Sequence, residues 1–190
     1  QYELQIYVND SEKTVSENSD NMRTRLAFAG VGADWGNVTF GRQKGAPGLL
    51  ADWTDVSLSD GYGNEALGAK TDTFATNRAG SVLKYSGLFN GFQVDTSYKF
   101  DGGDTEETTS KDSDAAYGAA LAYTFPFNLA LGTAYNVGIR DKSGEEDAKL
   151  WLLSAKYDNK AVYAALSYAD GSDFLATGKD HTGWEGALGY

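Results

Sequence analysis

The sequence predicts an all-β chain built as an antiparallel up-and-down barrel that crosses a membrane. Three observations predict it: apolar and polar residues alternate in ten successive segments, the connections between them alternate short and long, and aromatic residues gather at segment ends. Alternation with period two gives a strand one apolar and one polar face, because successive side chains point to opposite sides of a sheet.

The segments follow in order. Residues 1–7 set Tyr2, Leu4 and Ile6 against Gln1, Glu3 and Gln5, and residues 23–31 set Leu26 and Phe28 against Arg23, Arg25 and Ala27. Residues 37–43 set Val38 and Phe40 against Asn37 and Thr39; residues 78–87 set Leu83 and Tyr85 against Gly80 and Lys84. The pattern is clearest in FQVDTSYKF (92–100), where Phe92, Val94, Thr96, Tyr98 and Phe100 oppose Gln93, Asp95, Ser97 and Lys99. Residues 116–125 place Leu121, Tyr123 and Phe125 on one parity, and residues 128–138 repeat the alternation with small residues. Residues 149–158 oppose Trp151, Leu153 and Tyr157 to Ser154 and Lys156; 161–169 and 183–190 complete the set, the last with Trp184, Leu188 and Tyr190 on one parity.

Short connections around 33–37, 88–91, 126–128 and 158–160 carry the Gly, Asn, Asp and Pro of tight turns. Long, charged ones lie between them at 9–21, 101–115, 140–148 and 170–182. An up-and-down barrel with one rim of turns and one of loops gives that order. Tyr85, Tyr98, Phe100, Tyr123, Phe125, Tyr157 and Tyr168 at strand ends suit a lipid–water boundary. A soluble two-sheet sandwich with cross-strand aromatic pairs is the alternative. Gly118, Ala120, Ala122, Ala130, Gly132 and Ala134 form a flat small-residue face on two neighbouring segments. With Arg25, Lys84, Asp95 and Lys99 they are read as a wall that lines water, which turns the apolar face outward to lipid.

Composition narrows the function. A net charge of -11 opposes nucleic acid, whose phosphates require a basic footprint. The absence of Cys removes disulfides and thiolate metal sites. No apolar run approaches the roughly 18 residues of a membrane helix, a test that β-strands of about 9–11 alternating residues escape. QYELQIYVND has neither a basic n-region nor an apolar core, so no signal peptide is expected at this start.

TRLAFAGVGADWGNVTFGRQKG (24–45), WTDVSLSDGYGN (53–64), NRAGSVLKYSGLFNGFQVDTSYKF (77–100) and KLWLLSAKYDNKAVYAALSYADG (149–171) together resemble the general trimeric porins of Gram-negative outer membranes. The resemblance covers the chain in strand order. It implies a 16-stranded transmembrane barrel of which ten strands are present, so that residues 1–190 form one incomplete barrel domain, a central fragment lacking about three strands on each side. Ten strands alone would leave two unpaired edges, which hydrocarbon does not tolerate.

The resemblance also implies a site. Residues 44–73 correspond to a constriction loop folded into the lumen. Its acidic groups, Asp55 and Asp60, would face wall residues Arg23, Arg25 and Arg78, with Lys84 another wall base and Glu3, Asp95 and Lys99 also lumen-facing. Opposed charges in a narrow passage set up a transverse field that filters solutes by size and polarity. The segment 9–21 corresponds to a latch between subunits, so Glu12 or Glu17 would meet a partner's Arg42. The expected protein is a passive, mildly cation-selective channel for ions and small hydrophilic solutes, a homotrimer among lipid and lipopolysaccharide, with no cofactor. A sugar-specific channel and an adhesin or phage-receptor barrel are the alternatives.

Other motifs carry less. GVGADWG (30–36) lacks the following helix of a phosphate-binding loop, and NVT (37–39) is a glycosylation sequon inside a predicted strand. DGGDTEETTSKDSD (101–114) has no EF-hand spacing. His181, the single histidine, has no nucleophile motif near it, so no enzyme is expected.

Overall fold

The structure is a computed structural model. It describes residues 1–6, 22–56, 78–100, 115–140, 146–173 and 180–190, except for the side chains of residues 5, 6, 22 and 23. Ten antiparallel strands form one sheet in which every strand pairs with its neighbour in sequence. They are β1 (Tyr2–Ile6), β2 (Met22–Ala33), β3 (Gly36–Lys44), β4 (Arg78–Phe89), β5 (Phe92–Lys99), β6 (Ala116–Thr124), β7 (Leu129–Gly138), β8 (Ala148–Asp158), β9 (Tyr163–Ser172) and β10 (His181–Gly189). A four-residue helix, α1 (Gly48–Ala51), follows β3.

Local chemistry closes the tight turns. Asn90 and Gly91 both have positive φ, 47° and 87°, and join the paired Phe89 and Phe92. Such a two-residue turn matches the twist of its strands and requires residues that tolerate that region. Asn128 takes the same role after Phe125-Pro126-Phe127, its N–H donating to the Phe125 carbonyl at 3.1 Å. Between β8 and β9 the Asn159 side chain accepts from the N–H groups of Ala161 and Val162. These turns lie at one rim. At the other, Arg140 ties three strand ends together: its side chain donates to the Asp173 carbonyl, and its N–H donates to Asp147 Oδ1 at 3.2 Å.

The two faces separate as an outward apolar surface requires. Tyr98 and Leu153 are 39% and 49% exposed, whereas Asp95 and Ser154, on the opposite parity, are 2% and 3% exposed. Phe92, Tyr117, Leu121, Leu131, Tyr135, Trp151, Leu166 and Trp184 join the exposed side. Rings contact one another across it, Tyr123 with Phe92 at 4.4 Å and Tyr168 with Trp184 at 4.6 Å. A sheet in water would bury this face and expose the other.

Two bulges modify the alternation. Between β1 and β2, Glu3 pairs with Leu26 and Leu4 with Thr24, so Arg25 is an extra residue on β2. Past it the parity reverses. Phe28 pairs with Gly41 and Gly30 with Thr39 on the inner face, while Ala27, Ala29 and Val31 share the outer face with Arg42, Phe40 and Val38. The expectation that Leu26 and Phe28 face outward opposite Ala27 is therefore corrected: one bulged residue moves every later side chain to the other face. The second bulge lies in β4, where Gly41 pairs with Val82 and Gln43 with Ala79; Ser81 there has φ 55°.

Candidate functional site: a segment seated on the inner wall

Residues 45–54 leave β3 and cross the inner face of the sheet. Backbone pressed against a packed wall loses its water partners there and must be satisfied by the protein. Here successive N–H groups are satisfied within the segment: Leu49 donates to Ala46, Leu50 to Pro47, Asp52 to Gly48 and Trp53 to Leu50, each at 3.1 Å. Pro47 is the residue before α1, where the helix has no use for an N–H. Lys44 and Asp52 form an ion pair that links the strand end to the last turn of the segment.

The segment has an apolar seat. Leu50 is fully buried and Trp53 nearly so, packed with Ala120, Ala122, Ala130, Ala134, Leu150, Leu152 and Ala165 of β6 to β9. A β-carbon at Gly132 would stand 2.4 Å from Leu50 Cδ2 and 3.2 Å from the Trp53 ring. The small-residue wall, read from sequence as lining water, is in this part a dry bed for the segment. That corrects the expectation: small side chains are needed because a second layer lies on them, and burying a leucine there contributes about 1.5–3 kcal/mol.

Polar contacts hold both ends. At entry, Ala46 N–H donates to Ser97 Oγ at 2.8 Å and Lys84 Nζ to the Gly45 carbonyl at 3.4 Å. Lys84 is itself 2.8 Å from Asp95 Oδ2. At the far end, the Tyr163 hydroxyl donates to the Trp53 carbonyl, and Lys156 Nζ lies 5.0 Å over the Trp53 ring, an attractive cation–π geometry.

The residues singled out from sequence separate into groups. Lys84, Asp95 and Lys99 are on the inner face, but Asp95 and Lys99 are buried and Lys84 is paired beneath the entering segment. Arg25 Nε lies 2.9 Å from Glu3 Oε1 at the bulge, both side chains partly exposed. Arg78 is half-buried at the start of β4, opposite Lys44 and next to the inward-facing Ala79. Asp55 is exposed just beyond the seated segment. Arg42 shares the outer face with Phe40, and its Nε donates to the Thr24 carbonyl at 3.1 Å. Arg23 is opposite Gln5 in register, and its side chain is not among those described. Asp60, Glu12, Glu17 and residues 57–73 lie outside the described residues. Trp53, Tyr163 and Lys156 were not singled out as a group; only the contact between distant strands assembles them.

No group of three or more His, Asp or Glu able to hold a metal ion occurs among the described residues.

Comparison with known proteins gives a consistent assignment. A family profile described as Gram-negative porin matches residues 1–190. Outer membrane protein U of Vibrio parahaemolyticus is 31% identical over 183 residues, covering 93% of this chain and 50% of that protein. Porin-like protein L of Photobacterium profundum is 35% identical over 169 residues, covering 86% of this chain and 43% of that protein. The chain thus spans about half the length of these curated relatives. Among solved structures, OmpF of Salmonella typhi in complex with daunomycin superposes with a TM-score of 0.68 at 24% identity, covering 89% of this chain and 55% of that one. An anion-selective porin from Comamonas acidovorans superposes at 0.61 and 19% identity, over 90% of this chain and 53% of that one. With a profile match over every residue and relatives above 30% identity across most of its length, the chain belongs to the family of Gram-negative porins, β-barrels of the outer membrane.

Proposed function

We propose that this chain supplies wall and constriction to a water-filled channel for passive diffusion of ions and small hydrophilic solutes. The observation that carries the reading is the seated segment at 45–54. A self-satisfied turn of backbone fixed across the inner wall narrows the passage without closing it, and it delivers Asp55 at its end. Asp55 and Asp60 are the acidic side of the constriction; Arg23, Arg25 and Arg78 are the basic side.

The channel is mildly cation-selective. The inner pair Lys84–Asp95 cancels locally, so the excess of acid in a chain of net charge -11 sets the sign. The protein acts as a homotrimer in lipid and lipopolysaccharide, with Glu12 or Glu17 reaching Arg42 of a neighbouring subunit. A charge on a lipid-facing wall costs about 2–4 kcal/mol at mid-membrane, so a subunit contact accounts for Arg42 on the outer face.

The test is reconstitution of the protein carrying this chain into planar bilayers. Stepwise open-channel currents and a cation-signed zero-current potential in a KCl gradient are expected. Absence of open current would overturn the channel; an anion-signed potential would overturn the selectivity alone.

A further inference from the structure

We propose that the inner wall carries a binding site for neutral sugars, formed where Phe28, Asn37, Thr39 and Ser86 converge on the short-turn side of the seated segment. It rests on the diffusion reading only in that solutes must reach the lumen.

An open cavity of about 380 Å³ lies against β2, β3 and β4, with Gln43, Lys84 and the 30–32 stretch of β2 among its lining besides these residues. This is near the lower end of the roughly 300–1,000 Å³ of small-molecule sites. Two features of the chain create it. The bulge at Arg25 turns the Phe28 ring inward, where alternation alone would have sent it to lipid. Gly32 leaves room for the Asn37 amide: a β-carbon there would stand 2.1 Å from Asn37 Oδ1.

The polar groups divide into committed and available ones. Gln43 Nε2 donates to the Val82 carbonyl at 2.9 Å, and its Oε1 accepts from Thr39 Oγ1 at 2.8 Å. Lys84 is neutralised by Asp95 and reaches the Gly45 carbonyl. The Asn37 amide and Ser86 hydroxyl make no side-chain hydrogen bond among the described residues. The cavity thus offers an aromatic face, an amide that both donates and accepts, a hydroxyl and no net charge. A pyranose fits this chemistry, its C–H face on the ring and its hydroxyls on the amide and Ser86. An ion finds no uncompensated opposite charge there. An apolar solute would leave the amide unpaired, which is unfavourable.

The test uses the protein carrying this chain in planar bilayers with symmetric KCl, and glucose and maltose as probes. Both sugars are expected to add saturable current noise. Phe28→Leu, which keeps bulk but removes the ring, and Asn37→Ala are each expected to weaken the apparent affinity about tenfold. Each affinity is read against that variant's own open current, so only folded channels count. Gluconate should bind no more tightly than glucose. Open current in the unsubstituted protein without any saturable sugar effect would overturn the site, as would unchanged affinity in the conducting variants, or tighter binding of gluconate. Absence of all open current would instead overturn the diffusion reading and this inference with it.

Discussion

Lys84 and Asp95 meet at 2.8 Å beneath the point where the chain leaves β3 for the lumen, with the Asp95 side chain only 3% exposed. The pair is diagonal across the β4–β5 hairpin, since Lys84 is opposite Ser97 and Asp95 opposite Ser86. Ser97 in turn accepts from Ala46 N–H. One hairpin therefore supplies both the neutral ion pair and the hydroxyl that fix the root of the inserted segment.

Breaking that pair from one side should be costly. Lys84→Met leaves a buried carboxylate without its cation, and loss of one partner of a buried pair typically costs about 3–5 kcal/mol. The double variant Lys84→Met, Asp95→Leu removes both charges and should recover most of that loss. Urea unfolding of the protein carrying this chain, followed by tryptophan fluorescence in detergent, measures both. A double variant no more stable than the single one would count against the pair as the cause.

Gly132 is the point of closest approach between wall and segment. Gly132→Ala should be tolerated with a modest loss, because the atom that must yield, Leu50 Cδ2, is the end of a flexible side chain. Gly132→Leu leaves no room for Leu50 and Trp53 together, and overpacking of this kind costs about 1–3 kcal/mol or displaces the weaker layer. The weaker layer is the segment, so single-channel conductance should rise in Gly132→Leu and not in Gly132→Ala. Equal conductance in both would mean that the segment does not narrow the passage.

How far the sequence revealed this arrangement depends on the range of the interaction. Strand positions were legible because alternation and turn chemistry are local; Asn90-Gly91 alone sets the register that brings Lys84 to Asp95, so that pairing was within reach of sequence reasoning. The reversal in β2 was not legible, since nothing in TRLAFAG announces that Arg25 bulges. The small residues at 120, 122, 130, 132 and 134 were visible, but their purpose was not. It depends on Leu50 and Trp53, about 70 or more residues earlier in the chain, arriving on the same wall.

Orientation toward lipid gives a direct optical prediction. A fluorophore on Cys introduced at Tyr98 or Leu153 should be strongly quenched by lipids with brominated acyl chains, because both positions are exposed on the apolar face. Leu153→Arg should destabilise the barrel by up to about 2–4 kcal/mol, the cost of a lipid-facing arginine near the midplane. Quenching no greater than for a fluorophore free in water would put these side chains away from lipid and end the membrane-wall account.

Asp55 lies just past the seat, exposed where the segment leaves the wall. On the proposed reading its carboxylate contributes to the acidic side of the passage. Asp55→Asn keeps shape and removes the charge, so the zero-current potential across a KCl gradient should move toward zero while open conductance changes little. The shift should be larger at low salt, because screening lengths grow from about 10 Å at 0.1 M to 30 Å at 0.01 M. A potential that keeps its size at both concentrations would move the origin of selectivity from the segment to the rim.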